Sequence, residues 1–115
     1  MIQKFFNLEI STNGQKLYDF TEKTNDWIKG NGFKNGILNI SIQHTSASLI
    51  VQENADPDVQ TDLINYFDKL VPMNNKLYVH TVEGKDDMPA HIKSALTNNQ
   101  ISLSCLLYTS DAADE

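Results

Sequence analysis

The stretch "ILNISIQHTSASLIVQENADPDV", residues 37–59, decides how this chain is read. Leu38, Ile40, Ile42 and His44 fall on one side of an alternating run, and Ile37, Asn39, Ser41 and Gln43 fall on the other. Successive side chains of a strand point to opposite faces, so this is a half-buried strand. "SASLIVQE" at 46–53 reads as a further strand. Asp56-Pro57 is a strong helix start, a capping carboxylate followed by proline at the first helical position. The helix runs to about Leu70, with Val59, Leu63, Tyr66, Phe67 and Leu70 as its apolar stripe and Pro72 beyond its end.

Working outward, Phe6, Leu8 and Ile10 alternate with mostly polar neighbours, and Asn13-Gly14 marks a turn. Phe20, Thr24, Trp27 and Ile28 share a helical face between Tyr18 and Lys29, with Asp19 or Thr21 to cap its start. "KLYVHT" (76–81) reads as a short strand, "VEGKDD" (82–87) as a polar loop, "MPAHIKSALT" (88–97) as a second short helix, and "QISLS" (100–104) as a last strand. The order βαββαβαβ points to an α+β domain rather than a doubly wound parallel sheet.

The chain has 115 residues, a size that suits one modest core, and its formal charge is −6. Arginine is absent and the lysines are scattered singly, which argues against a nucleic-acid partner. No apolar run approaches the roughly 18–20 residues of a membrane span, and the start lacks a signal-peptide pattern, so a cytoplasmic location with no membrane partner is expected. "CLLYTSDAADE" (105–115) reads as a non-native, adaptor-like tail following a domain at 1–104. It holds the sole cysteine, and without its three acidic residues the charge is −3.

The chemistry rests on three histidines, His44, His80 and His91. Two sit at ends of expected strands and one near the start of an expected helix, where side chains can converge. Three imidazoles with an open position suit a catalytic zinc, and other transition metals as well. The bland alternative is three separate histidines with local partners. The hydroxyls of Thr45, Ser46 and Ser48 could bind a ligand or orient water, or simply pair across a sheet. Asp56 and Asp58 have a structural reading at a helix start, and so do Asp86 and Asp87. Glu53 has no such helix-start reading; it is a candidate general base or histidine partner, or simply an exposed carboxylate at a strand end.

"HTSASLIVQENADPDV" and "HTVEGKDDMPAHIKSALT", with their spacing, resemble the YjbQ-like family of secondary thiamine-phosphate synthases, over residues 1–104. The resemblance implies a compact α+β domain with a β-sandwich-like mixed or antiparallel core and two to three helices, and a homotrimer when full length. It implies that His44, His80 and His91 hold a divalent metal, zinc first and magnesium second. Glu53, Thr45 and Ser46 become candidate catalytic residues, and Ser48, Asn54 and Asp87 candidate binders of a small-molecule substrate. Relatives continue with further strands, so the C-terminal strands are expected to be missing here. Val79 stands where relatives often carry a basic residue. A three-imidazole site favours zinc and metal-assisted hydrolysis, whereas pyrophosphate-expelling transfer normally uses magnesium. A hydrolase and a non-catalytic metal- or metabolite-binding trimer therefore stand beside the transferase.

Overall fold

The computed structural model describes residues 1–106. Its elements are α1 (Thr21–Gly30), β1 (Asn35–Ser41), α2 (Pro57–Leu70), a 3-10 turn (Asn75–Leu77), α3 (Asp87–Leu96) and β2 (Gln100–Leu106). The class is α+β, as the sequence indicated. Its β part is one two-stranded sheet joining β1 to β2. Ser102 donates to the Asn39 side chain, and the Ile42 N–H donates to the Asn99 carbonyl at 2.9 Å. Residue numbers thus run in opposite directions along the pair, which makes it antiparallel. The backbone of β2 continues through Cys105 and Leu106. The rest of the proposed tail, 107–115, lies outside the described residues.

The chain divides into two compact units. Of the described residues, one contains Met1–Gly14, Tyr18–Leu38 and 103–106. Within it, α1 buries Ile28 and half-buries Thr24 and Trp27, the face its spacing predicted. The Asp19 carboxylate accepts from the Thr21 N–H at 2.9 Å, tying down a free donor at the helix start. Phe6 stacks on Trp27 with ring centroids 5.3 Å apart. Residues 5–12 form no ladder, so Phe6 is held there by ring stacking rather than as a strand residue.

The second unit contains Gln15–Leu17 and Asn39–Ser102, including every candidate site residue. Asp56 caps α2 as expected, accepting from the Asp58 N–H at 2.9 Å, with Pro57 in the first turn. Val59, Leu63 and Phe67 are half-buried, whereas Tyr66 and Leu70 stay exposed. Lys93 on α3 donates to the Asp68 carboxylate of α2 at 2.8 Å. Leu49, Val71 and Pro89 are buried.

Two other expected strands do not form. Of 46–53, only Leu49 pairs, in an isolated antiparallel bridge with Asn98. Residues 76–81 start inside the 3-10 turn, whose Asn74 cap accepts from the Lys76 N–H at 3.0 Å. A strand exists through its ladder. Apolar alternation alone supplied the pattern in both segments without a neighbouring strand to pair with.

A candidate metal centre

The site is built on the first turns of α3. Asp87 is the first helical residue and His91 lies four positions on, so the helical period places them on one face. Neither Asp86 nor Asp87 caps the helix through a side-chain hydrogen bond, which leaves the Asp87 carboxylate for other work. Its Oδ2 lies 2.8 Å from His80 Nε2 and 3.1 Å from His91 Nε2. Glu83 Oε2 approaches His80 Nε2 at 3.3 Å. Gly84 makes the turn between them at φ +112, where a Cβ would meet Asp86 Oδ1 at 3.0 Å. His80, Glu83, Asp87 and His91 each offer one ligand atom, all within 4.8 Å of one another. The two rings lie edge to face with centroids 5.6 Å apart.

Proton placement shows why these groups suit a cation. His91 Nδ1 lies 2.8 Å from the Thr45 carbonyl oxygen, which can only accept. The proton of a neutral His91 therefore sits on Nδ1, and Nε2 presents a lone pair toward Asp87. A lone pair facing a carboxylate needs a second proton or a cation between them. An imidazole that donates one N–H to a carbonyl and turns the other nitrogen to the metal is the usual arrangement of a ligating histidine. Without a metal, the hydrogen bond that His80 donates to Asp87 chiefly, and the Glu83 and Asp87 charges, hold the His80 pKa above its ordinary 6.5. The same contact with His80 holds Asp87 below its ordinary 3.8. Two imidazoles and two carboxylates form a mixed donor set that suits zinc and neighbouring transition metals better than an all-oxygen magnesium shell.

His44 is not one of the four. Its Nδ1 accepts from the Ser46 N–H at 2.9 Å, with the Ser46 hydroxyl 3.0 Å from the same nitrogen. The strand ends at Ser41, and exposed His44 turns back onto its own backbone instead of continuing the apolar side. It does share a cleft of about 440 Å³ with His91, lined also by Thr45, Ser94, Ala95, Thr97 and Asn99. Thr45 thus enters twice, as a wall of the cleft and through its carbonyl. Ser48 is tied to the Thr97 hydroxyl. Glu53 is exposed, with its N–H on the Gln52 side chain, and Asn54 is exposed; neither lines the cleft nor joins the cluster. Sequence reasoning missed Glu83, placed in a loop. Its signal was the spacing His80, Glu83, Asp87, His91, at intervals of three, four and four.

The family model for UPF0047 protein YjbQ-like matches residues 6–106. The chain belongs to the YjbQ/UPF0047 family. Among YjbQ-family relatives, UPF0047 protein sll1880 of Synechocystis is 52% identical over 90 residues, covering 78% of this chain and 61% of that protein. The chain therefore spans less than two thirds of that relative's length. UPF0047 protein MJ1081 of Methanocaldococcus jannaschii is 39% identical over 97 residues, covering 84% of this chain and 67% of its own. Among solved structures, the conserved protein TT1486 of Thermus thermophilus matches with TM-score 0.72 and 32% identity, covering 84% of this chain and 71% of its own. A YjbQ/UPF0047 protein of Clostridium acetobutylicum matches with TM-score 0.68 and 30% identity, covering 85% and 72%. Among the described residues, no helix is long and apolar enough to cross a membrane.

Proposed function

We propose that the protein is a small metal-dependent enzyme acting on a phosphorylated or heterocyclic small molecule. His80, Glu83, Asp87 and His91 would hold one divalent cation, zinc first. The carrying observation is the single Asp87 oxygen within 3.1 Å of two imidazole nitrogens, one of which has its lone pair fixed toward it by the Thr45 carbonyl. A cation bound there supplies Lewis-acid polarisation of a substrate oxygen. The chain's own groups do the rest. Thr45 orients His91 through its carbonyl, Asp87 spans the two rings, and the cleft beside His91 offers room for a ligand. The secondary thiamine-phosphate synthase reaction is the first reading of that activity, in a cytoplasmic homotrimer. Metal-assisted hydrolysis is the second, favoured by imidazole donors over an all-oxygen shell.

The test is turnover of two substrate sets by the zinc-loaded chain. One is the pyrimidine pyrophosphate with the thiazole phosphate, and the other is a panel of small phosphate esters. Either activity should appear with metal, vanish with chelator and vanish in His91→Ala. Metal binding with no turnover of any member would leave a binding module and refute the enzyme reading.

A further inference from the structure

We propose that His44 is a fixed hydrogen-bond donor rather than a metal ligand. With the Asn99 carboxamide it forms an uncharged recognition subsite beside the metal centre, suited to the oxygen of a neutral carboxamide-like ligand group. The inference rests on the metal-centre reading only for the neighbour the bound group meets.

The argument is again one of proton placement. The Ser46 N–H aimed at His44 Nδ1 is a backbone donor that cannot reverse its role. Nδ1 must therefore accept, and the proton of neutral His44 belongs on Nε2. Were Nε2 to ligate a metal, Nδ1 would need that proton and would meet the Ser46 N–H hydrogen to hydrogen. His91 is the opposite case, since a carbonyl at Nδ1 frees Nε2 for a metal. One backbone N–H and one backbone C=O thus assign two imidazoles of one cleft to different tasks.

The remaining polar groups of the cleft narrow the ligand. The Thr97 hydroxyl donates to the Lys93 carbonyl at 2.7 Å and so must accept from Ser48, which leaves it no proton to offer a ligand. Ser94 donates to the Ala47 carbonyl at 3.1 Å. The Asn99 backbone carbonyl accepts from Ile42, and among the described residues its carboxamide has no protein partner. The His44 Nε2–H is likewise unmatched among them. No lysine lines the cleft. An anion would find neutral donors without a countercharge, whereas a carboxamide can accept from His44 and exchange a donor and an acceptor with Asn99.

Long-range proton–nitrogen NMR of the full chain, metal-free and zinc-loaded, tests this. His44 should carry its proton on Nε2 in both states, and His91 on Nδ1. Acetamide, the neutral probe, should move the His44 Nε2–H and Asn99 carboxamide signals. Inorganic phosphate should move them less. His44→Ala should keep the zinc stoichiometry of the unaltered chain while losing the Asn99 response to acetamide, and His44→Gln, which restores a donor, should recover part of it. A zinc-dependent loss of the His44 Nε2 proton, lost zinc in His44→Ala, or a larger response to phosphate overturns the proposal. If His44→Ala fails to fold, the tautomer in the unaltered chain still decides. If the unaltered chain takes up no zinc, the metal-centre reading falls while the tautomer and acetamide responses still judge the subsite.

Discussion

Asp87→Asn isolates one atom of the proposed centre. The substitution keeps the side chain's size and leaves the first turn of α3 intact, since Asp87 makes no cap bond there. What it removes is the anionic Oδ2, which lies 2.8 and 3.1 Å from two imidazole nitrogens. The donor set falls from two carboxylates to one, and the bridge between the rings is lost. Removing even a hydrogen-bonding partner of a metal ligand typically costs about 10- to 100-fold in affinity, so a group that both spans the rings and offers a ligand atom should cost at least that. Competition with a chromogenic zinc chelator near neutral pH measures the loss. Asp86→Asn is the control, because the neighbouring side chain belongs to neither the cluster nor a cap. It should bind like the unaltered chain. Zinc affinity of Asp87→Asn indistinguishable from the unaltered chain would refute the reasoning.

Four further outcomes follow from the structure. Metal must displace the proton from His80, so zinc affinity should climb as pH rises through its raised pKa, with a midpoint above the ordinary 6.5; a midpoint at or below that value contradicts the contact with Asp87. In the metal-free chain, the raised His80 pKa adds stability that is full below its unfolded value and fades as pH rises through the folded one. The depressed Asp87 pKa adds stability that is present above its unfolded value and is lost as pH falls through the folded one. A thermal-melt series should therefore show the pair's contribution between those limits, and should flatten there in Asp87→Asn. Leu49→Ala empties a buried position beside the Asn98 bridge and should cost about 2–5 kcal/mol by denaturant unfolding, while exposed Val51→Ala should cost little. Gly84→Ala puts a side chain at φ +112 and a Cβ 3.0 Å from Asp86 Oδ1, so isothermal titration should show weaker zinc binding with the helical circular dichroism retained.

Helices were more legible than strands because a helix satisfies its own backbone. Asp56-Pro57 announced α2, and the segment closed at Leu70 as its apolar stripe indicated. The second short helix, read from Met88, starts at Asp87. A strand depends on a partner elsewhere in the chain. The alternation at 37–44 found β2, whereas similar apolar patterns at 5–12, 46–53 and 76–81 found no ladder. The site was half legible. His80 and His91 were named as candidate ligands, whereas Asp87 was named as a candidate substrate binder and a helix-start residue. Glu83 was hidden because it falls in a loop, outside any helix whose period would flag it, so only its spacing to His80, Asp87 and His91 marked it; Glu53, named because no cap explained it and by the resemblance, is exposed outside the cluster. The difference between His44 and His91 was beyond the sequence. It depends on whether a backbone N–H or C=O meets Nδ1, and only the folded turn at Ser46 and the approach of Thr45 to α3 decide that.

Metal content by mass spectrometry, after zinc loading and dialysis, tests the central claim most directly. One zinc per unaltered chain, and none in the His80→Ala/His91→Ala double variant of retained helical content, is the predicted result. A chain that keeps no metal above the level of the double variant would contradict it.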